Sequence, residues 1–218
     1  MTGFFIKDLM MLKCQKQFFF IMGIMALIFL VMYDNPSFVF GYLTIMFSFI
    51  PITTLSYDDA DNGSAYLFSL PVSRVGYVIE KYAFSLGFTL TAALVSFIVV
   101  SAACRIKGYP VQAGELGVLA LVSITVAILF LSVAIPVQIR FGSERSRMAA
   151  GLTFAALFAV CYAAGWVLTK AGISLEEVET AASGLAWPAA AGLCILAWIV
   201  IYGVSFGISA KILKGKDF

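Results

Sequence analysis

The side chains that could do chemistry in this chain lie in the charged interruptions between long apolar runs, and their types exclude more than they offer. Carboxylates gather at Asp58, Asp59 and Asp61, guanidinium groups at Arg140, Arg145 and Arg147, and histidine is absent. Without histidine, the commonest general base and the commonest transition-metal ligand are both missing. That excludes a Ser–His hydrolase, and an intramembrane aspartyl protease would need two Asp residues inside the apolar runs, which hold none. No GxxxxGK[ST] phosphate loop occurs, so ATP is not bound by that device. The apolar runs carry no Asp, Glu, Lys, Arg or His in their interiors. Ion-coupled carriers and voltage sensors place such groups within the membrane, where they are costly and therefore functional. No K⁺-filter-like stretch is present either. Cys14, Cys104, Cys161 and Cys194 are widely spaced and form no CxxC pair; they read as small apolar residues, and spacing alone establishes no Cys104–Cys194 disulfide.

The elements that carry these groups follow from composition. Of 218 residues, 62% are hydrophobic and 12% charged, and the mean hydropathy is +1.01. An ordinary soluble domain carries about 25% charged residues. A soluble fold with half that charge could not cover its surface, so the solvent is lipid. The net charge of +2 points to no nucleic-acid partner. A helix needs about 20 residues to cross about 30 Å of hydrocarbon. The uncharged runs therefore predict an all-α membrane domain over 1–218 with six spans, near residues 18–33, 37–56, 79–103, 116–139, 148–169 and 188–210. The first two are joined by the tight turn Tyr33-Asp34-Asn35-Pro36-Ser37, where a re-entrant hairpin is the alternative. Pro188 marks the start of the last helix, and Pro51 and Pro136 are placed to bend the second and fourth. No small-residue cleavage site closes the first apolar run, which reads as a retained helix.

With both termini inside, eleven basic residues (Lys7, Lys13, Lys16, Arg74, Lys81, Arg140, Arg145, Arg147, Lys211, Lys214, Lys216) face the cytoplasm against three (Arg105, Lys107, Lys170) outside. The acidic outer loop Glu176-Glu177-Val178-Glu179 and the outer tryptophans Trp166 and Trp187 agree with that orientation. Residues 2–17 read as an amphipathic helix at the inner interface, with Phe4, Phe5, Leu9 and Leu12 at helical spacing and Lys7, Asp8, Lys13 and Lys16 between them. A plain basic flank is the alternative. Ser174 and Glu177 form a capping box for a short outer helix through about Ala182. The longest inner loop runs from Tyr57 to Arg74; its acidic residues can cap a short helix that Pro71 stops, and Ser73 can cap the next. Tyr66, Leu67, Phe68 and Leu70 on that short helix either dock on a partner or pack on the chain's own helices. The spans carry scattered hydroxyl residues (Thr44, Ser48, Thr53, Thr54, Ser85, Thr89, Thr91, Ser96) and a GxxxG at Gly203 and Gly207, which favour close helix packing over a polar path.

These loops resemble those of the bacterial ABC-2 type permeases. The stretch Tyr66-Leu67-Phe68-Ser69-Leu70-Pro71-Val72-Ser73-Arg74, followed by Glu80-Lys81-Tyr82, is similar to the SLPVSR…KY segment between their second and third helices. Pro136 and then Arg140-Phe141-Gly142-Ser143-Glu144-Arg145-Ser146-Arg147 resemble the segment after their fourth, and Phe5-Ile6-Lys7-Asp8-Leu9 their opening. Tyr66 stands where relatives often carry Trp, so an aromatic is retained. Within that family the loops resemble those of the phenol-soluble-modulin exporter permeases. The resemblance implies the six-helix type V exporter architecture, with an N-terminal interfacial helix and a cytoplasmic coupling helix over about 61–70. It implies ATPase coupling through Asp58, Asp59, Asp61, Tyr66, Leu67, Phe68, Leu70, Pro71 and Arg74. A second ATPase contact would be made by Arg140, Phe141, Gly142, Glu144, Arg145 and Arg147. The chain itself would hold no cofactor and do no catalysis; ATP and Mg would sit on two copies of a separate ABC ATPase subunit. A second permease copy, as a homodimer in the bacterial plasma membrane, would complete a path for an amphipathic peptide or other hydrophobic cargo. An ion-driven carrier or channel, or a non-transporting membrane scaffold, are the competing functions.

Overall fold

A chain this apolar must satisfy its backbone internally, and in the computed structural model it does so with helices alone among the described residues. The structure describes residues 2–33, 37–59, 63–69, 73–108, 113–142 and 187–216, together with 151–153, 155, 158–159, 162–163, 165–166 and 170. The helices are α1 (Thr2–Cys14), α2 (Lys16–Met32), α3 (Ser37–Ser48), α4 (Ile50–Asp59), α5 (Gly63–Ser69), α6 (Arg74–Lys107), α7 (Ala113–Phe141) and α8 (Trp187–Lys214).

Among the described residues, four segments are long and apolar enough to cross a membrane: Phe38–Asp59, Arg74–Lys107, Leu116–Phe141 and Ala191–Lys214. A fifth is added if the pair α1 and α2, bent by 62°, counts as one broken span. The described residues therefore account for four or five of the six expected spans. By itself α2 has 17 residues, which reach about 26 Å and fall just short of a bilayer core. The expected span over 148–169 and the capped helix from Ser174 to Ala182 fall largely or wholly outside the described residues.

Local chemistry accounts for the boundaries. The Ser73 hydroxyl accepts from the Gly76 N–H at 3.1 Å and starts α6, as its place between Pro71 and the apolar run predicts. Gly108, at φ 67°, ends it in a left-handed turn. Pro51 has no N–H to give the preceding turn, and the helix breaks two residues earlier, at Phe49, separating α3 from α4. Pro136 lies within α7, which continues through it.

Two apolar clusters hold the bundle at its two ends. Met22, Ala26, Val39, Phe40, Leu43, Val100, Cys104 and Leu116 join α2, α3, the end of α6 and the start of α7. Leu55, Tyr77, Val78, Tyr82, Leu131, Ile135, Ile139 and Leu213 join α4, the start of α6 and the ends of α7 and α8. Between them the hydroxyl residues serve packing. Thr44, Ser48, Thr89 and Ser96 are buried and turn back to their own helix carbonyls. The Tyr82 hydroxyl lies 2.6 Å from Ser205 Oγ and 2.8 Å from Ser209 Oγ, and Trp198 donates to Thr125 at 3.0 Å. These bonds tie α8 to α6 and α7. The GxxxG pair takes no part among the described residues, because a Cβ at Gly203 or Gly207 meets nothing within 4 Å. Cys14, Cys104 and Cys194 are free thiols.

Leu131 is fully buried, so Leu131→Ala should cost about 2–5 kcal/mol by the lost contacts and the cavity left behind. Tyr82→Phe should cost about 1 kcal/mol or less, the usual worth of an interhelical hydrogen bond in a membrane. Reversible unfolding of the purified variants in mixed micelles compares the two; equal losses would mean that hydroxyl bonding rather than packing holds this end.

Candidate functional site

The residues implicated by the sequence converge at one end of the bundle, where α4, α7 and α8 finish, α6 begins, and α5 lies across them. On α5, successive side chains turn by about 100°, and the three described side chains of the motif separate accordingly. Leu67 and Phe68 are half-buried and pack on the cluster of Leu55, Tyr77, Ile139 and Leu213. The Phe68 ring meets Tyr77 edge-on at 5.6 Å. Tyr66 faces outward with 73% of its surface exposed. The apolar groups of the short helix thus divide between packing on the chain's own helices and facing out. Asp61, Leu70, Pro71, Glu144, Arg145 and Arg147 lie outside the described residues.

Arg74 points back into the protein. Its guanidinium donates to the carbonyls of Leu213, Lys214 and Lys216 at 3.0, 3.0 and 2.9 Å. It thereby caps the C-terminal turn of α8, whose carbonyls lack helical partners and carry the negative end of the helix dipole. Lys216 extends the junction by donating to the Ile139 carbonyl at 3.3 Å. The second inner loop meets the first here too. Gly142 closes α7 at φ 71°, its N–H donating to the Gln138 carbonyl at 2.9 Å. A Cβ on Gly142 would land on the Asp59 carboxylate, so the end of α4 sits against the turn after α7. Gln138 adds a bond to Ser56 at 3.0 Å. Arg140 is exposed, its guanidinium 5.9 Å from the Phe141 ring centre.

Beneath α5 lies a buried ion cluster that the reading of the sequence missed. The Lys81 ammonium stands 2.5 Å from Asp8 Oδ2 and 2.7 Å from Asp58 Oδ2. Lys7 pairs with the other oxygen of Asp58 and lies 3.5 Å from Asp8 Oδ1. The Tyr77 hydroxyl donates to Asp58 Oδ2 at 3.1 Å. Asp8, Asp58, Glu80 and Lys81 are all buried. Two expectations are corrected here. Asp8 does not lie on a solvated face of the N-terminal helix, and Glu80 and Lys81, at the inner end of the span expected over 79–103, are buried within α6 rather than turned to the cytoplasm. Asp58 likewise has its carboxylate filled from inside the bundle. The signal was present in the sequence: Asp8 is three residues after Phe5, four after Phe4 and four before Leu12, so helical spacing puts it on the apolar face. In the structure Phe4 packs on Tyr77 and Phe5 on Phe84, at 6.1 and 6.5 Å between ring centres. That face is therefore pressed onto α6, and Asp8 goes in with it.

The sequence profile of the ABC-2 family transporter proteins matches residues 3–214. The chain belongs to that family. It is a multi-pass membrane permease, the transport component of an ABC transporter, and the family works with an ABC ATPase subunit. No curated protein and no solved structure matches the permease. Its profile match takes in both inner loops and α1, so the ion cluster belongs to the matched region.

Breaking a buried pair by removing one partner typically costs about 3–5 kcal/mol. Lys81→Met leaves the Asp8 and Asp58 carboxylates to share the Lys7 ammonium and should destabilise the permease by about that much. Adding Asp8→Leu to it removes one of them, and the double variant should be more stable than Lys81→Met alone; unfolding midpoints of the two decide this, and simple additivity would show that Asp8 and Lys81 do not act on each other. Gly142→Ala should cost about 1–2 kcal/mol from the left-handed backbone alone, with a further loss from displacing Asp59, which Asp59→Ala in the same chain should relieve.

Proposed function

We propose that this permease is the transmembrane half of an ATP-driven exporter, two copies of which pair with two copies of a separate ATPase that holds the ATP and Mg. The observation that carries this reading is the seating of α5. One apolar cluster presses Leu67 and Phe68 onto the ends of four helices while Tyr66 is left facing out. A push on this short helix is passed to α4, α6, α7 and α8 together, which is what a nucleotide-driven motor acting from outside the bilayer needs. In this reading Tyr66, flanked by Asp61, Leu70 and Pro71, forms the principal ATPase contact, and Arg140, Glu144, Arg145 and Arg147 the second. Asp58, Asp59, Leu67, Phe68, Arg74, Phe141 and Gly142 act from behind, holding the contact elements to the bundle. The excess of basic residues on one side supports cytoplasmic termini in a bacterial plasma membrane. The uncharged aliphatic and aromatic spans support an amphipathic peptide or other hydrophobic cargo.

An ion-driven carrier is the second reading, and the buried Glu80 carboxylate is the observation in its favour. ATP-independent, gradient-driven uptake by the permease alone in liposomes would establish it and overturn the exporter.

The two faces of α5 make the exporter reading testable. Tyr66→Asp should leave the permease's unfolding midpoint within about 0.5 kcal/mol of the parent, yet abolish capture of the ATPase and the stimulation of ATP turnover by amphipathic peptides. Phe68→Asp should lower the midpoint strongly, since it buries a charge against Tyr77. Unchanged ATPase capture by stably folded Tyr66→Asp would mean that α5 is not the contact.

A further inference from the structure

In the ion cluster, Glu80 is the group whose charge is not answered. Its side chain is fully buried, and both carboxylate oxygens lack a hydrogen-bond partner among the described residues. The nearest cation is Lys81, whose ammonium is 3.9 Å from Glu80 Oε2. That ammonium is already taken by Asp8 and Asp58 at 2.5 and 2.7 Å. The charged and titratable groups around Glu80 are Lys7 and Asp8 from α1, Asp58 from α4, and Tyr77 and Lys81 from α6 itself. Two ammonium groups, Lys7 and Lys81, balance two carboxylates, Asp8 and Asp58. An ionised Glu80 would add a third, uncompensated negative charge away from water, which costs far more than taking up a proton does.

We propose that Glu80 is a proton-binding site, occupied in this conformation, and that the proton keeps α1 docked. With the carboxyl neutral, Lys81 is free to serve Asp8, the only buried carboxylate that α1 brings among the described residues. On release, the O–H bond breaks, its electron pair stays on the Glu80 carboxylate, and the proton passes to water. The new anion then competes with Asp8 for the Lys81 ammonium. Asp8 is held at the bundle by Lys81, since Lys7 lies on α1 itself, so α1 loosens, left with its second ionic tie from Lys7 to Asp58. The inference concerns charges inside the permease and does not rest on its being an exporter.

The test reads the bond itself. Infrared spectroscopy of the full-length permease in lipid nanodiscs at neutral pH should show a protonated-carboxyl C=O band. Glu80→Gln, which keeps the size and neutrality of the acid, should fold normally and lose the band. Asp8→Asn should also lose it although Glu80 is still present, because Glu80 then ionises to balance the two lysines. Absence of the band in the parent, or its persistence in either variant, overturns the proposal. Stability gives a second readout for the case in which Asp8→Asn does not fold. The folded parent holds one proton more than the unfolded chain, so its stability falls as pH rises from mildly acidic to mildly alkaline. Glu80→Gln should lose that slope, and equal slopes in parent and variant overturn the proposal. Neither readout involves transport or an ATPase, so a failure here is distinguishable from a failure of the exporter reading.

Discussion

The Lys81 ammonium, held between Asp8 and Asp58, is the constraint on which the rest of this end of the permease depends. Three helices meet where each contributes charge that another must neutralise: α1 brings Asp8 and Lys7, α4 brings Asp58, and α6 brings Lys81. Apolar packing does not discriminate in a bilayer as it does in water, since lipid tails offer a helix much the same contacts as its neighbours do. A buried charge does discriminate, because it has no acceptable position except against its counter-charge. The cluster therefore specifies where α1 sits and how the end of α4 approaches α6, together with the aromatic contacts of Phe4 and Phe5 on α6.

The same region gathers the free ends of the helices into one block. Arg74 closes α8, Gly142 closes α7 against Asp59, and Gln138 bonds Ser56 across α7 and α4. Arg74 satisfies carbonyls at the end of α8 and the Gly142 N–H that of Gln138, groups that a helix end leaves without partners. The outcome is mechanical. The short helix α5 rests on a platform whose members are tied to one another by polar contacts, which is the property the proposed coupling through Tyr66 requires. The opposite end of the bundle, held by the cluster around Phe40 and Val100, has no comparable network of side-chain ion pairs among the described residues.

Much of this was legible in the residues. The apolar runs, the Ser73 cap, the short helix before Pro71 and the family resemblance of both inner loops could all be read directly, because each is a local pattern of hydropathy or turn chemistry. The site was legible only in part. Leu67 and Phe68 read equally well as packing or as docking groups, since an apolar side chain on a seven-residue helix carries no mark of which face meets the bundle. Counting Lys7 and Lys81 as inner-side positive charges served the orientation argument and hid their pairing. Asp8 was the one ionic group whose burial could have been foreseen, from its helical spacing to Phe4, Phe5 and Leu12.

By itself the sequence determined the solvent, the helical class and the family, because uncharged runs of about 20 residues satisfy their backbone in lipid as helices, and the motifs of both inner loops are local patterns. Only the tertiary structure decided which charges are paired and which is left over. Ion pairing joins residues as far apart in the chain as Asp8 and Lys81, and no local pattern connects them. Their separation is settled by how three helices pack, and it is that packing which leaves Glu80 enclosed beside a cation already shared by two other carboxylates.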